Sequence, residues 1–378
     1  MAPIYQKAKL LKGLVAGDVA KTGPFYVGID LTNRCNLRCL GCPYHSPQLN
    51  AASPPNPAVT DLSLDLFKRL CDELKTMHTN NLIFQGAGEP LLHPDIFSMI
   101  SIAKALGFHV TLLTNGTLLD LDRVQSLIES GLDIIRVSLW ASSVEQYQLN
   151  YPSNDPGNFR KVVNGLNLLA KLKDEQKRLF PHVMVYYVIN HYNFKTIDAM
   201  VDLASGTGCN GLFFSPMHTP RGALTSFGLS ADEERSICLS LSRAKKRLNS
   251  LSISENVDWA LLRYKMAKPL WQTHPCYITW FHARIRVDGM VQPCGRCDSN
   301  VHFGNLHENT FHEIWNGSAI RRFRRQTFTS KGLATMSEHC YCTSCCYVGD
   351  NLRLHRIFRW LRPFAHLQRT TNNEARKN

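Results

Sequence analysis

Long hydrophobic runs are missing from this 378-residue chain: no stretch stays apolar for the ~18–20 residues that a membrane span requires. The opening, MAPIYQKAKLLKGLVAGDVAKTG, has neither an uninterrupted apolar core nor a small-residue cleavage site, so it does not read as an export signal. A cytoplasmic protein is expected. In a reducing compartment thiols stay free, and thirteen cysteines are then better explained as metal ligands than as a disulfide framework. No solenoid-type repeat is visible, and no RNA-recognition or zinc-finger signature accompanies the basic charge.

Acidic residues are scarce in two late segments, and this locates the net charge of +13. Residues 351–378 carry +6, and the run Arg321, Arg322, Arg324, Arg325 and Lys331 adds +5 with no acid between. The first 300 residues are close to neutral, so the charge reads as an appendage and nucleic acid is not the expected partner. In the tail, Arg353, Arg356, Arg359 and Arg362 recur every third residue with Leu354, Ile357, Phe358 and Leu361 between them. That is an amphipathic helix broken at Pro363; it is expected to pack on the fold with its arginines solvated, with peripheral contact to the inner membrane surface as the alternative.

With 44% apolar residues the chain fills one large domain and a smaller one. Short β-branched runs at 25–31, 81–85, 108–113, 133–139, 183–189 and 211–215 predict strands. Helical periods near 63–77, 94–106, 120–130, 158–173, 194–205 and 231–249 fall between or after them, several with a cap such as Ser63 or Asp120. Six β/α units with a parallel sheet bury the strands on both faces and build chemistry from loops at the strands' C-terminal ends. After about residue 250 this rhythm stops. The expected organisation is an N-terminal extension (1–24), a β/α core (25–250), a cysteine-rich domain (251–350) and a basic tail (351–378). The Pro/Ser/Asn-rich segment 43–60 reads as a mobile loop over the strand ends.

Cysteines fall in two groups. Cys35, Cys39 and Cys42 lie within eight residues after the first strand; three thiolates wrap one side of a cubane and leave an iron without a protein ligand. A zinc site wants a fourth ligand, for which His45 is the only nearby candidate. Later come Cys276, Cys294, Cys297, Cys340, Cys342, Cys345 and Cys346, where CGRC (294–297) and CTSC (342–345) also read as paired zinc knuckles. Cys71, Cys209 and Cys238 stand apart and read as small buried hydrophobes.

CxxxCxxC after the first strand of a β/α array resembles the radical S-adenosylmethionine (radical SAM) superfamily. The resemblance covers residues 25–250 and implies a partial (β/α)6 TIM-like barrel. It implies a [4Fe-4S] cluster on Cys35, Cys39 and Cys42 whose open iron chelates S-adenosylmethionine. Reductive cleavage then gives a 5′-deoxyadenosyl radical that abstracts a substrate hydrogen, chemistry carried by the cofactor. Gly86-Ala87-Gly88-Glu89-Pro90 resembles the family's GGEP segment, Thr114-Asn115-Gly116 its TNG turn, and Ser138 and Asn190 its carboxylate or ribose contacts. Two positions depart from the pattern: Gly41, where the family has a bulky residue, and Ala87.

The second group resembles the SPASM/Twitch extension of the same superfamily, through Cys276-x12-Gly289-x4-Cys294 and the GN…EIW segment at 303–317. The shorter Twitch pattern implies one auxiliary [4Fe-4S] cluster on Cys276, Cys294, Cys342 and Cys345, passing an electron rather than binding substrate. Net oxidation of a small molecule such as a sugar or glycoside is then expected, similar to the Twitch-type inosamine dehydrogenase. Only about 24 residues precede the first strand, short for a leader-peptide-binding domain, which favours the small molecule over a peptide-modifying maturase. A radical epimerase with Cys209 or Cys238 as hydrogen donor is a further alternative, and a metal-stabilised RNA- or lipid-binding module is the competitor from another class. Flavodoxin or ferredoxin is the implied electron donor. Tyr186, His218 and Arg221, near late strand ends, are catalytic candidates by position.

Overall fold

A computed structural model describes residues 4–47, 59–152, 155–217, 228–265, 274–336, 338–340, 342, 345 and 347–358. All six expected strands form: β1 (Tyr26–Asp30), β2 (Asn81–Gln85), β3 (His109–Thr114), β4 (Ile134–Ser138), β5 (His182–Ile189) and β6 (Gly211–Pro216). Three short strands were not foreseen, β7 (Ser254–Glu255), β8 (His282–Ile285) and β9 (Val291–Gln292). The sheet order is β7-β6-β5-β4-β3-β2-β1-β8-β9. The pairings β1–β8, β3–β4, β4–β5, β5–β6 and β6–β7 are parallel and β8–β9 is antiparallel, and the sheet does not close. The expected partial β/α barrel is therefore present.

The chain divides into two compact units. One comprises residues 30–62 and 83–266. Its helices α3 (Ile96–Ala105), α4 (Leu121–Glu129), α5 (Val144–Asn150), α6 (Asn158–Glu175), α7 (Ile197–Gly206), α8 (Ala231–Ser250) and α9 (Val257–Lys265) alternate with the strands. Asp120, Ser143 and Ser230 cap α4, α5 and α8 by accepting from backbone amides one turn in. In β4, Ile135 and Val137 are fully buried while Ile134, Arg136 and Ser138 are partly exposed. This period-two pattern sets one face against packed apolar side chains and leaves the other accessible. The register pairs Arg136 with Met184, Ser138 with Tyr186 and Tyr186 with Phe213, so these residues share the accessible face.

The other unit comprises residues 1–29, 63–82 and 267–378. It contains α1 (Ile4–Ala16), α2 (Leu64–Thr76), β8, β9 and short helices at Phe311–Trp315, Ser318–Thr327 and Ser330–Ala334. Its core corrects the reading of the charge in the 321–331 run as that of an appendage. Arg324 is wholly buried, with its guanidinium centred 4.8 Å from the Trp315 ring and 5.6 Å from that of Trp280. Nε and Nη2 donate to Thr279 O, and Nη1 donates to Asp18 O and Asn316 Oδ1. Arg321 and Arg325 pair with Asp18, an acid just over 300 positions earlier that a local reading of charge misses. The helix at 348–358 packs through Leu352 and Phe358, and Tyr277 and His355 are hydrogen-bonded. Arg359, Arg362 and the rest of the tail lie outside the described residues.

Candidate active site

The loop leaving β1 is held by its neighbours' backbone. Leu31 N donates to Gln85 O, Gly88 N to Thr32 O and Glu89 N to Arg34 O, so residues 31–34 and 85–89 run in contact. A Cβ at Gly88 would lie 2.0 Å from Arg34 O, and one at Gly86 would lie 2.8 Å from Gly88 O. Both positions therefore require glycine. Ala87, the departure between them, is buried and fits.

Glu89 is almost wholly buried and accepts from Leu91 N, Thr114 Oγ1 and Asn115 N. Burial pushes its pKa up, and the three donors oppose that shift. Asn115 Nδ2 in turn donates to Asn36 Oδ1, and Asn36 Nδ2 to Thr117 Oγ1, both at 2.8 Å. Asn36 sits beside Cys35. The GAGEP segment and the TNG turn thus form one scaffold that fixes the cysteine loop.

Cys35, Cys39 and Cys42 carry free thiols. Leu37 N lies 3.5 Å from Cys35 Sγ, while Tyr44 N and His45 N lie 3.4 and 3.3 Å from Cys42 Sγ. Amide donors aimed at sulfur suit thiolates that ligate iron. Burial raises all three thiol pKa values, that of Cys35 to about 11, so metal must displace their protons on binding.

Gly41 finds its explanation here. A Cβ there would lie 2.8 Å from Met217 Cε and 3.3 Å from Trp140 Cζ3, so side chains from other strand ends fill the space that a bulky residue at 41 would take. Trp140 also donates through Nε1 to Ser138 Oγ at 2.9 Å. Asn190 is wholly buried: its Nδ2 donates to Asn150 Oδ1 and its Oδ1 accepts from Tyr192 N. Asn150 O accepts from Leu40 N, joining this network to the cysteine loop. Tyr186 lies on the accessible face beside Ser138, whereas His218 and Arg221 fall outside the described residues.

Sequence reasoning missed Asn36, Trp140, Tyr147 and Asn150. Asn36 lies inside the cysteine motif itself and was legible as its polar spacer; the others sit on or beside a seven-residue helix too short to announce its period.

In the second unit, Cys297 and Cys340 are joined as a disulfide, while Cys276, Cys294, Cys342 and Cys345 remain thiols outside it. Burial and the charges of Cys345 and Cys294 raise the pKa of Cys276, so these three thiols are electrostatic neighbours. Arg296 N lies 3.4 Å from Cys294 Sγ. Cys346 is outside the described residues. Cys71 and Cys209 are buried as expected, but Cys238 is half-exposed on α8. Cys209 precedes β6, at the strand end away from the cysteine loop, with its thiol against Thr207 Oγ1.

Comparison with known proteins agrees with this geometry. The radical SAM superfamily model matches residues 29–204, and an iron-sulfur cluster-binding (SPASM) domain model matches residues 276–346. The chain belongs to the radical SAM superfamily and carries a C-terminal SPASM domain; its cofactors are a [4Fe-4S] cluster, S-adenosylmethionine and an auxiliary iron-sulfur cluster. An AdoMet-dependent heme synthase of Methanosarcina barkeri is 26% identical, over 85% of this chain and 91% of that protein. A PqqA peptide cyclase of Xanthomonas campestris is 23% identical, over 93% of this chain and 91% of its own length. Among solved structures, Streptococcus suis SuiB bound to S-adenosylmethionine superposes with a TM-score of 0.65 at 16% identity, covering 91% of this chain and 77% of that one. Native anSMEcpe with bound AdoMet gives 0.63 at 19% identity, covering 81% and 84%. Iron-sulfur chemistry replaces the zinc readings of both cysteine groups. Among the described residues, no helix is long and apolar enough to cross a membrane.

Proposed function

We propose that Cys35, Cys39 and Cys42 hold the SAM-cleaving cluster and that Cys276, Cys294, Cys342 and Cys345 hold the auxiliary one. When bound, the first cluster supplies the electron that cleaves S-adenosylmethionine to a hydrogen-abstracting radical. This chain's residues present the thiols, hold the loop through Asn36, Glu89 and Thr114, and offer the face bearing Ser138 and Tyr186 to cosubstrate and substrate. The observation that carries the reading is the hydrogen-bonded unit of the cysteine loop, GAGEP and TNG segments.

Hydrogen abstraction leaves a substrate radical, and loss of one further electron and a proton makes the outcome a two-electron oxidation. An auxiliary cluster with four thiolates suits that electron relay. A peptide substrate is supported by similarity to a peptide cyclase along nearly the whole of both chains. A small molecule is supported by the heme synthase relative. A flavodoxin or ferredoxin is the proposed donor. Reduced, reconstituted enzyme incubated with separated peptide and small-molecule fractions of its host extract tests the substrate class. The fraction that stimulates 5′-deoxyadenosine release contains the substrate, and stimulation by neither contradicts both readings.

A further inference from the structure

Tyr147, on α5, is 1% exposed, yet its hydroxyl has no hydrogen-bond partner among the described residues. A buried phenol without a partner costs about 1–3 kcal/mol, so such a group in a packed interior points to something it serves. Aromatic neighbours hold its ring. The ring stacks on Tyr151 at 4.2 Å between centroids and meets Phe159 edge-on at 6.1 Å. Ser143 caps its helix, and Asn150 at the helix end accepts from Leu40 N in the middle of the cysteine loop. Burial raises the pKa of the phenol, and negative charge carried at Cys39, then Asp155, then Cys35 would raise it further. Asp155 is exposed and already engaged by Gly157 N and Lys161 Nζ. One turn beyond Tyr147, Asn150 O accepts from Leu40 N, so the cysteine loop lies against this helix and offers sulfur as an acceptor.

We infer that the Tyr147 hydroxyl donates a hydrogen bond to sulfur of the cluster carried by Cys35, Cys39 and Cys42, and so makes that cluster easier to reduce. The inference rests on the cluster assignment proposed above. A donor to sulfur stabilises the reduced, more negative state over the oxidised one, so it raises the potential. Tyr147 is thus a positioning and tuning residue that touches neither substrate nor reacting carbon. Phenylalanine keeps the stack and removes only the donor.

The test is redox titration of anaerobically reconstituted Tyr147→Phe and native enzyme, following by electron paramagnetic resonance the reduced signal that changes shape on adding S-adenosylmethionine. The auxiliary cluster serves as an internal reference, and iron content is measured in both. The expected result is unchanged iron, an unchanged auxiliary midpoint, and an approximately tenfold lower equilibrium constant for reducing the SAM-responsive cluster, a shift of about 59 mV to more negative potential. Equal midpoints in the two proteins at equal iron content would overturn the inference and leave the cluster assignment standing. A native enzyme with no SAM-responsive signal would overturn the assignment itself, and the inference with it.

Discussion

The two cysteine groups are built on opposite plans. In the first, three thiols fall within eight residues, and the loop is held by amides and carboxamides from three successive strand ends. In the second, the four candidate ligand thiols are spread over about seventy residues, and the framework includes a buried arginine and a disulfide. A compact loop on a β/α scaffold suits a three-ligand site with an open side. A dispersed set gathered from separate segments suits a closed four-ligand site.

The sharpest way to break this comparison is to remove one thiol from each group. Cys39→Ala is expected to abolish 5′-deoxyadenosine formation, a loss beyond the ~100-fold that outer partners of metal sites cost. Cys342→Ala is expected to keep part of it while blocking oxidised product. Chromatographic quantitation of both products decides; normal turnover by the second variant contradicts the relay.

Next in size is Arg324→Ala. It leaves Thr279 O and Asp18 O without their guanidinium donors, Asn316 Oδ1 with Ala20 N alone, and an empty slot between two tryptophans, so a loss of about 3–5 kcal/mol in denaturant unfolding is expected. An effect below ~1 kcal/mol would restore the appendage reading of that run.

His282 gives the second unit a pH dependence. Its Nδ1–H donates to Pro293 O, its Nε2 accepts from Tyr347 Oη, and burial holds its pKa down at about 4 from the ordinary 6.5. On acidification the unfolded imidazole takes up a proton first, so stability falls from pH 6.5 towards 4. Between pH 6.5 and 5 the loss is about 2 kcal/mol. Unfolding midpoints across that range should show it in the native protein, and a flatter profile in His282→Gln.

The smallest effect separates two glycines of the first site. At Gly41 the obstructing atom is the flexible end of Met217, whereas at Gly88 it is the Arg34 carbonyl. Gly41→Ala is expected to cost about 1 kcal/mol, read as a roughly fivefold higher KM for S-adenosylmethionine. Gly88→Ala should not yield a folded loop.

Much of the first site was legible because its elements are local and periodic. β-Branched runs marked β1–β6 within a residue or two, and Ser63 and Asp120 cap the helices they were expected to start. The N-terminal segment was read as an extension although Leu10 and Leu14 lie one turn apart and are buried on α1, a period that the surrounding lysines obscured. The second unit was harder to read. Strands of two to four residues carry no measurable alternation, and Arg324 owes its burial to Asp18, Thr279 and Asn316, which only the folded chain brings together.

The central claim, that Cys35, Cys39 and Cys42 carry a cluster that cleaves S-adenosylmethionine, is tested most directly by anaerobic reconstitution followed by iron analysis and 5′-deoxyadenosine measurement with and without reductant. Two [4Fe-4S] clusters predict about eight irons per chain and product only when reductant is present. A fully loaded, reduced protein that releases no 5′-deoxyadenosine would contradict it.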